Sequence, residues 1–118
     1  MYRVGYPTTL IVYIRATNTS GHPTGPNLAS GTIDADTFTT DTAGAWYEIA
    51  LTEYPLTANK QYAIVCDVAS GGVANAVAWK GDASGPTYAG GALEYSTDSG
   101  LTWTTYTTWD LMFEVWGR

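Results

Sequence analysis

Charge is scarce in this chain. Only 14% of its residues are Asp, Glu, Lys or Arg, against roughly 25% in an average soluble protein. Five are basic and 11 acidic, for a net charge of −6. With so few cations and no basic stripe, binding nucleic acid by phosphate neutralisation is not expected, and neither is docking on an anionic membrane. No apolar run approaches the roughly 20 residues of a bilayer-spanning helix, so membrane insertion is not expected either. Met1-Tyr2-Arg3-Val4-Gly5 lacks the basic start and apolar stretch of a signal peptide, so an exported form would have had its signal removed or carry it upstream.

Cysteine and histidine each occur once. Cys66 lies within Tyr62-Ala63-Ile64-Val65-Cys66-Asp67-Val68, cannot form an internal disulfide, and reads as a small buried hydrophobe. His22 sits in the turn Ser20-Gly21-His22-Pro23 with no cysteines around it, so no zinc site is expected.

Helical periodicity is also missing. Gly and Pro punctuate the chain, and β-branched and aromatic residues fill the intervals. Leu10, Val12 and Ile14 alternate with Ile11, Tyr13 and Arg15, as in a strand partly covered on both faces. Residues 17–27 read as a loop and Leu28 to Asp34 as a short strand. Trp46 to Leu51 puts Tyr47, Ile49 and Leu51 on one face. Gln61 to Val68 is the best candidate for a central strand, with Tyr62, Ile64, Cys66 and Val68 inward. A strand over 73–80, a turn at 81–86 and a tight hairpin between 88–96 and 101–106 follow. A last strand from Trp109 to Trp116 turns Trp109, Leu111, Phe113 and Val115 inward. About eight short strands with turn signals every 8–12 residues or so predict an all-β, antiparallel, jelly-roll-like sandwich forming one domain over 1–118.

The sharpest local signal is Ser96-Thr97-Asp98-Ser99-Gly100-Leu101-Thr102-Trp103, which matches the Asp-box pattern S-x-D-x-G-x-T-W. In such a hairpin the Asp accepts hydrogen bonds from turn amides, the Gly takes positive φ and the Trp packs beneath. Ser96, Asp98, Gly100 and Trp103 are therefore assigned a structural role. A wider likeness covers nearly the whole chain. It runs through Ile14-Arg15-Ala16-Thr17, residues 21–32 from Gly21-His22-Pro23-Thr24, Trp46-Tyr47-Glu48-Ile49, residues 54–65 from Tyr54-Pro55-Leu56, Tyr88-Ala89-Gly90-Gly91, the Asp-box and residues 110–117. In order and spacing these segments resemble the choice-of-anchor type of accessory β-sandwich module, found in secreted prokaryotic surface proteins and in phage or viral structural proteins. In such modules, residues like Tyr2-Arg3-Val4-Gly5 follow one or two earlier strands. The resemblance thus implies a sandwich without its first strand or strands, and an open assembly edge at Tyr2, Val4, Leu10 and Val12.

Trp46, Trp79, Tyr88, Tyr95, Trp103, Tyr106, Trp109 and Trp116 form an aromatic set. Most read as packing, with Trp103 and Trp109 inward. Trp79, Tyr88 and Trp116 are the candidates for a platform on which sugar rings stack. Asp34, Asp36, Asp41, Asp82 and Asp98 lack calcium-loop spacing and read as solvated loop carboxylates, with a structural calcium as the lesser reading and no other cofactor expected. Asn18-Thr19-Ser20 is a glycosylation sequon in a loop. The G-x-S-x-G, H-E-x-x-H and phosphate-loop motifs are missing. Catalysis would have to use His22, or a carboxylate pair drawn from Glu48, Glu53, Glu94 and Glu114, and is not expected. These features lead to a non-catalytic structural module of an extracellular filament, tube, surface layer or virion that associates with copies of itself. The alternative is a module that adheres to surface glycans.

Overall fold

The computed structural model describes residues 1–68, 71–82 and 92–115. The chain is all-β with antiparallel pairing throughout, as the punctuation of the sequence predicts. The residues form two compact units, Met1–Ala78 and Trp79–Arg118.

The first unit is built on a three-stranded sheet in the order β3-β2-β4, from β2 (Thr9–Thr17), β3 (Pro23–Asp34) and β4 (Tyr62–Val68). The central strand is β2, not the 61–68 segment. Its apolar residues on both faces suit a strand flanked on both sides. Leu10 pairs with Ile33 on one side and Val68 on the other, and Val12 with Gly31 and Cys66. β3 begins at Pro23, well inside the expected loop. Pro23 and Pro26 have no N–H for a ladder, and they are accommodated because β3 is an edge strand, with the register shifting between Ile14 and Ala16.

One face of this sheet carries the core. Leu10, Val12, Ala35 and Phe38 are buried together, with Ile33, Tyr47, Ile49, Leu51, Ile64, Cys66, Val68 and Val77 packed against them. The cover comes from residues 38–51. Tyr47, Ile49 and Leu51 face inward as the period-2 pattern predicts, while Trp46, Glu48 and Ala50 are exposed, yet the segment is not a regular strand. It is fastened by Thr52 N donating to Ser30 O (2.9 Å) and by Thr39 N donating to Tyr47 Oη (2.6 Å). Phe38 stacks on Tyr47 with ring centroids 3.9 Å apart. A 3₁₀ turn, Ala35–Thr37, aims Phe38 inward, and Asp34 caps it by accepting from Asp36 N.

β1 (Tyr2–Val4) pairs with β5 (Ala76–Ala78), Tyr2 opposite Ala78. Its other side is also taken: Arg3 N donates to Thr39 O (2.8 Å) and Ala45 N to Met1 O (3.0 Å). The assembly edge expected at Tyr2, Val4, Leu10 and Val12 is therefore not there. Tyr2 and Val4 lie in a strand paired with β5 on one side and bonded through Met1 and Arg3 to residues 39 and 45 on the other, and Leu10 and Val12 lie in the central strand, 1% and 7% exposed. The physical reason is that the chain after β3 folds back along β1 and fills the side that an added strand would have used.

In the second unit β6 (Gly81–Asp82) pairs with β9 (Asp110–Leu111), and β7 (Leu93–Tyr95) pairs with β8 (Thr104–Tyr106). Leu93 N donates to Trp109 O (3.3 Å) and Met112 N to Lys80 O (3.0 Å). Gly81–Asp82 was expected in a turn and is a short strand, because Asp110–Leu111 supplies its partner. The last strand is shorter than the alternating pattern of 109–116 predicts. Phe113 is 38% and Val115 66% exposed, so the burial expected of these two side chains in one core with Tyr62, Ile64, Cys66 and Leu111 is not found. Trp109, expected inward, is 42% exposed, with its ring lying against Gly81.

Cys66 packs against the core, and burial pushes its thiol up to about 12. At pH 8 it is held as the unreactive thiol, since only the thiolate is nucleophilic. Native protein should therefore react with a disulfide reagent far more slowly than protein in urea; equal rates would place the side chain in solvent.

Candidate functional site

The β7–β8 hairpin is the best-defined site in the second unit. Residues 93–95 face 104–106 in the register Leu93↔Tyr106, Glu94↔Thr105, Tyr95↔Thr104. Side chains alternate along a strand, so Leu93, Tyr95, Thr104 and Tyr106 share one face while Glu94 and Thr105 share the other. Thr105 Oγ1 donates to Glu94 Oε1 (3.2 Å) on that second face.

The turn that closes the hairpin is the Asp-box, and its bonding matches the motif's chemistry. Asp98 Oδ1 accepts from Thr102 N (2.9 Å) and from Ser96 Oγ (2.8 Å), while Oδ2 accepts from Thr102 Oγ1 (2.5 Å). Ser96 Oγ in turn accepts from Gly100 N (2.8 Å). Ser99 and Gly100 both adopt positive φ, +60° and +86°, a conformation easy for glycine. Trp103 is half-buried, its ring 3.6 Å from where a Gly100 Cβ would stand. Bonds from Thr102 and then Ser96 favour the ionised carboxylate and hold Asp98 down to about 2, from an ordinary 3.8.

A depressed folded value adds stability that is complete above 3.8 and fades as pH falls towards 2. Asp98→Ala should lower the melting temperature at pH 7, and the difference from the parent should shrink below pH 3. A gap that is constant from pH 7 to pH 2 would show that the carboxylate charge is not what closes the turn.

On the opposite face Tyr95 and Tyr106 are diagonal cross-strand neighbours. Their rings stack with centroids 5.5 Å apart and planes 19° from parallel, and they are 42% and 47% exposed. The hydrogen bond between the two hydroxyls, and then the charge of Tyr95 when ionised, push the Tyr106 hydroxyl up. The turn thus presents an exposed, stacked aromatic surface.

The sugar-stacking candidates fare differently. Trp79 is half-buried, and its indole Nε1 donates to Met112 O (2.7 Å), so it works as a brace between chain segments. Tyr88 and Trp116 lie outside the described residues. The tyrosine pair is legible as a cross-strand diagonal once the Asp-box fixes the hairpin register.

Three loop aspartates have local work. Asp34 accepts from Asp36 N (3.0 Å), Asp36 from Thr8 N (2.9 Å) and Asp41 from Ala43 N (2.9 Å). Asp34 and Asp41 each close a local turn, while Asp36 ties its loop to Thr8. Of the carboxylates considered for catalysis, Glu48, Glu53 and Glu114 are exposed and Glu94 is half-buried on the hairpin.

An open sheet edge lies in the first unit. β4 bonds to β2 on one side, and among the described residues no strand lies on the other. This edge is seven residues long and carries a single charge, the exposed Asp67. Val65 is 8% exposed on the face opposite the core, beside Tyr13, its partner on β2.

Compared with protein-family profiles, with curated proteins and with solved structures, the chain matches none.

Proposed function

We propose that the chain is a non-catalytic structural module of an extracellular, cell-surface or virion assembly, and that it associates with copies of itself by strand addition at β4. The observation that carries this reading is the side of Tyr62–Val68 that has no strand neighbour among the described residues. An edge strand offers a row of backbone donors and acceptors, and monomeric proteins blunt such edges with lysines, prolines, bulges or inward charges. β4 has no lysine, proline or bulge between its ends and one aspartate. The uncharged, hydroxyl-rich composition and the resemblance to accessory surface modules support the same class.

Net charge of −6 opposes association of identical chains. Salt screens that repulsion, with a Debye length of about 10 Å at 0.1 M. Size-exclusion chromatography with light scattering should therefore show a mass above the 12.6 kDa monomer, rising with protein concentration and with salt. A monomer at high concentration in both low and high salt would remove the proposal.

A second reading, adhesion to surface glycans, is favoured by the exposed Tyr95–Tyr106 stack. Aromatic faces stack on sugar rings, and two rings already stacked on each other lose less freedom on binding than free ones. Glycan-array binding that disappears in Tyr95→Ala and Tyr106→Ala would support it. Retention of binding in both would discard this surface.

A further inference from the structure

We propose that Asn18 is an acceptor for an N-linked glycan, transferred from a polyisoprenyl-diphosphate-linked oligosaccharide. Asn18-Thr19-Ser20 is the chain's sole N-x-S/T sequence, and the structure sets it at the tip of the β2–β3 hairpin, with all three residues exposed. The loop is tightly made. Thr17 pairs with Pro23, Asn18 N donates to His22 O (2.9 Å), Gly21 N donates to Asn18 O (3.0 Å), and Gly21 takes φ +81°. Within it the Asn18 side chain is oriented: Oδ1 accepts from Ser20 N (2.9 Å) and His22 N (3.0 Å). Those bonds engage the oxygen and leave Nδ2, the atom to be glycosylated, outside the bonded pair. They also draw the acceptor amide towards Ser20, the residue whose hydroxyl completes the sequence.

In the transfer, Nδ2 bonds to C1 of the donor sugar as the C1–O bond to the diphosphate breaks. The polyisoprenyl diphosphate leaves with that electron pair, and Nδ2 surrenders one proton to a base of the transferase. No oxidant or reductant is needed.

This inference rests on the exported location proposed above, so its test supplies export independently. The full chain, preceded by a secretory signal and followed by a control sequon in a flexible tail, is secreted from cells that carry an oligosaccharyl transferase. Intact mass and peptide mapping should show a glycan at Asn18 in most molecules, and glycosidase release should leave aspartate there. Asn18→Gln and Ser20→Ala should each abolish it. Ser20→Ala keeps the backbone N–H that Asn18 accepts, so its loop still folds, and Ser20→Thr should restore occupancy. A secreted, folded chain with its tail sequon filled and Asn18 bare would overturn the assignment, whatever the protein's natural location.

Discussion

Replacing Phe38 with Ala is expected to remove about 3–5 kcal/mol of stability from the first unit, a large part of the roughly 5–15 kcal/mol that a domain possesses. Phe38 is 2% exposed and is among the largest fully buried side chains. Its loss would empty the space between the sheet face of Leu10 and Val12 and the covering segment, and would take away the ring on which Tyr47 stacks. Three hydrogen bonds fasten the surrounding backbone, from Arg3 Nε to Phe38 O (2.8 Å), from Thr39 N to Tyr47 Oη (2.6 Å) and from Arg3 N to Thr39 O (2.8 Å), so the site cannot easily collapse onto the cavity. A urea melt of the variant should show a much lower midpoint. A midpoint within error of the parent would mean that residues 38–51 do not cover the sheet.

Gly31→Val is expected to be nearly as damaging, for the opposite reason. A Cβ at Gly31 would stand 2.0 Å from Ala50 O and 3.0 Å from Leu51 Cδ2. The nearer atom is backbone and cannot swing aside, so the covering segment would have to lift. Overpacking costs about 1–3 kcal/mol, and lifting Ile49 and Leu51 from the core adds lost burial. Gly72→Ala is the control, since nothing lies within 4 Å of its Cβ position; there the change should stay within about 0.5 kcal/mol. Equal melts for the two variants would contradict the close approach at Gly31.

The same residues mark what could be read in advance. Alternation in 46–51 put Tyr47, Ile49 and Leu51 on the core side correctly, because burial obeys a period of two whether or not a ladder forms. Phe38 carries no periodic signal in the sequence. It stands alone among Thr and Asp, and only the Asx cap at Asp34 and the 3₁₀ turn aim it inward. The Asp-box turn was legible because its hydrogen bonds are local in sequence, although the bonds made by the Ser96 and Thr102 hydroxyls were not read from the motif. Strand order was not. Whether β2 or β4 is central depends on which long-range pairings win, and both strands are apolar on both faces. The N-terminal edge was misplaced for a related reason: residues 39 and 45, which close β1, belong to an irregular segment with no strand signature.

Hydrogen exchange at rising protein concentration tests the open β4 edge most directly. In the monomer, alternate amides of Tyr62–Val68 should point away from β2 and exchange freely, while those bonded to β2 stay protected. Self-association by strand addition should slow that outward set as concentration and salt increase, with the β1–β5 amides unchanged. Outward β4 amides that exchange at one rate across all concentrations, while light scattering shows the chain associating, would place the contact elsewhere and contradict the account.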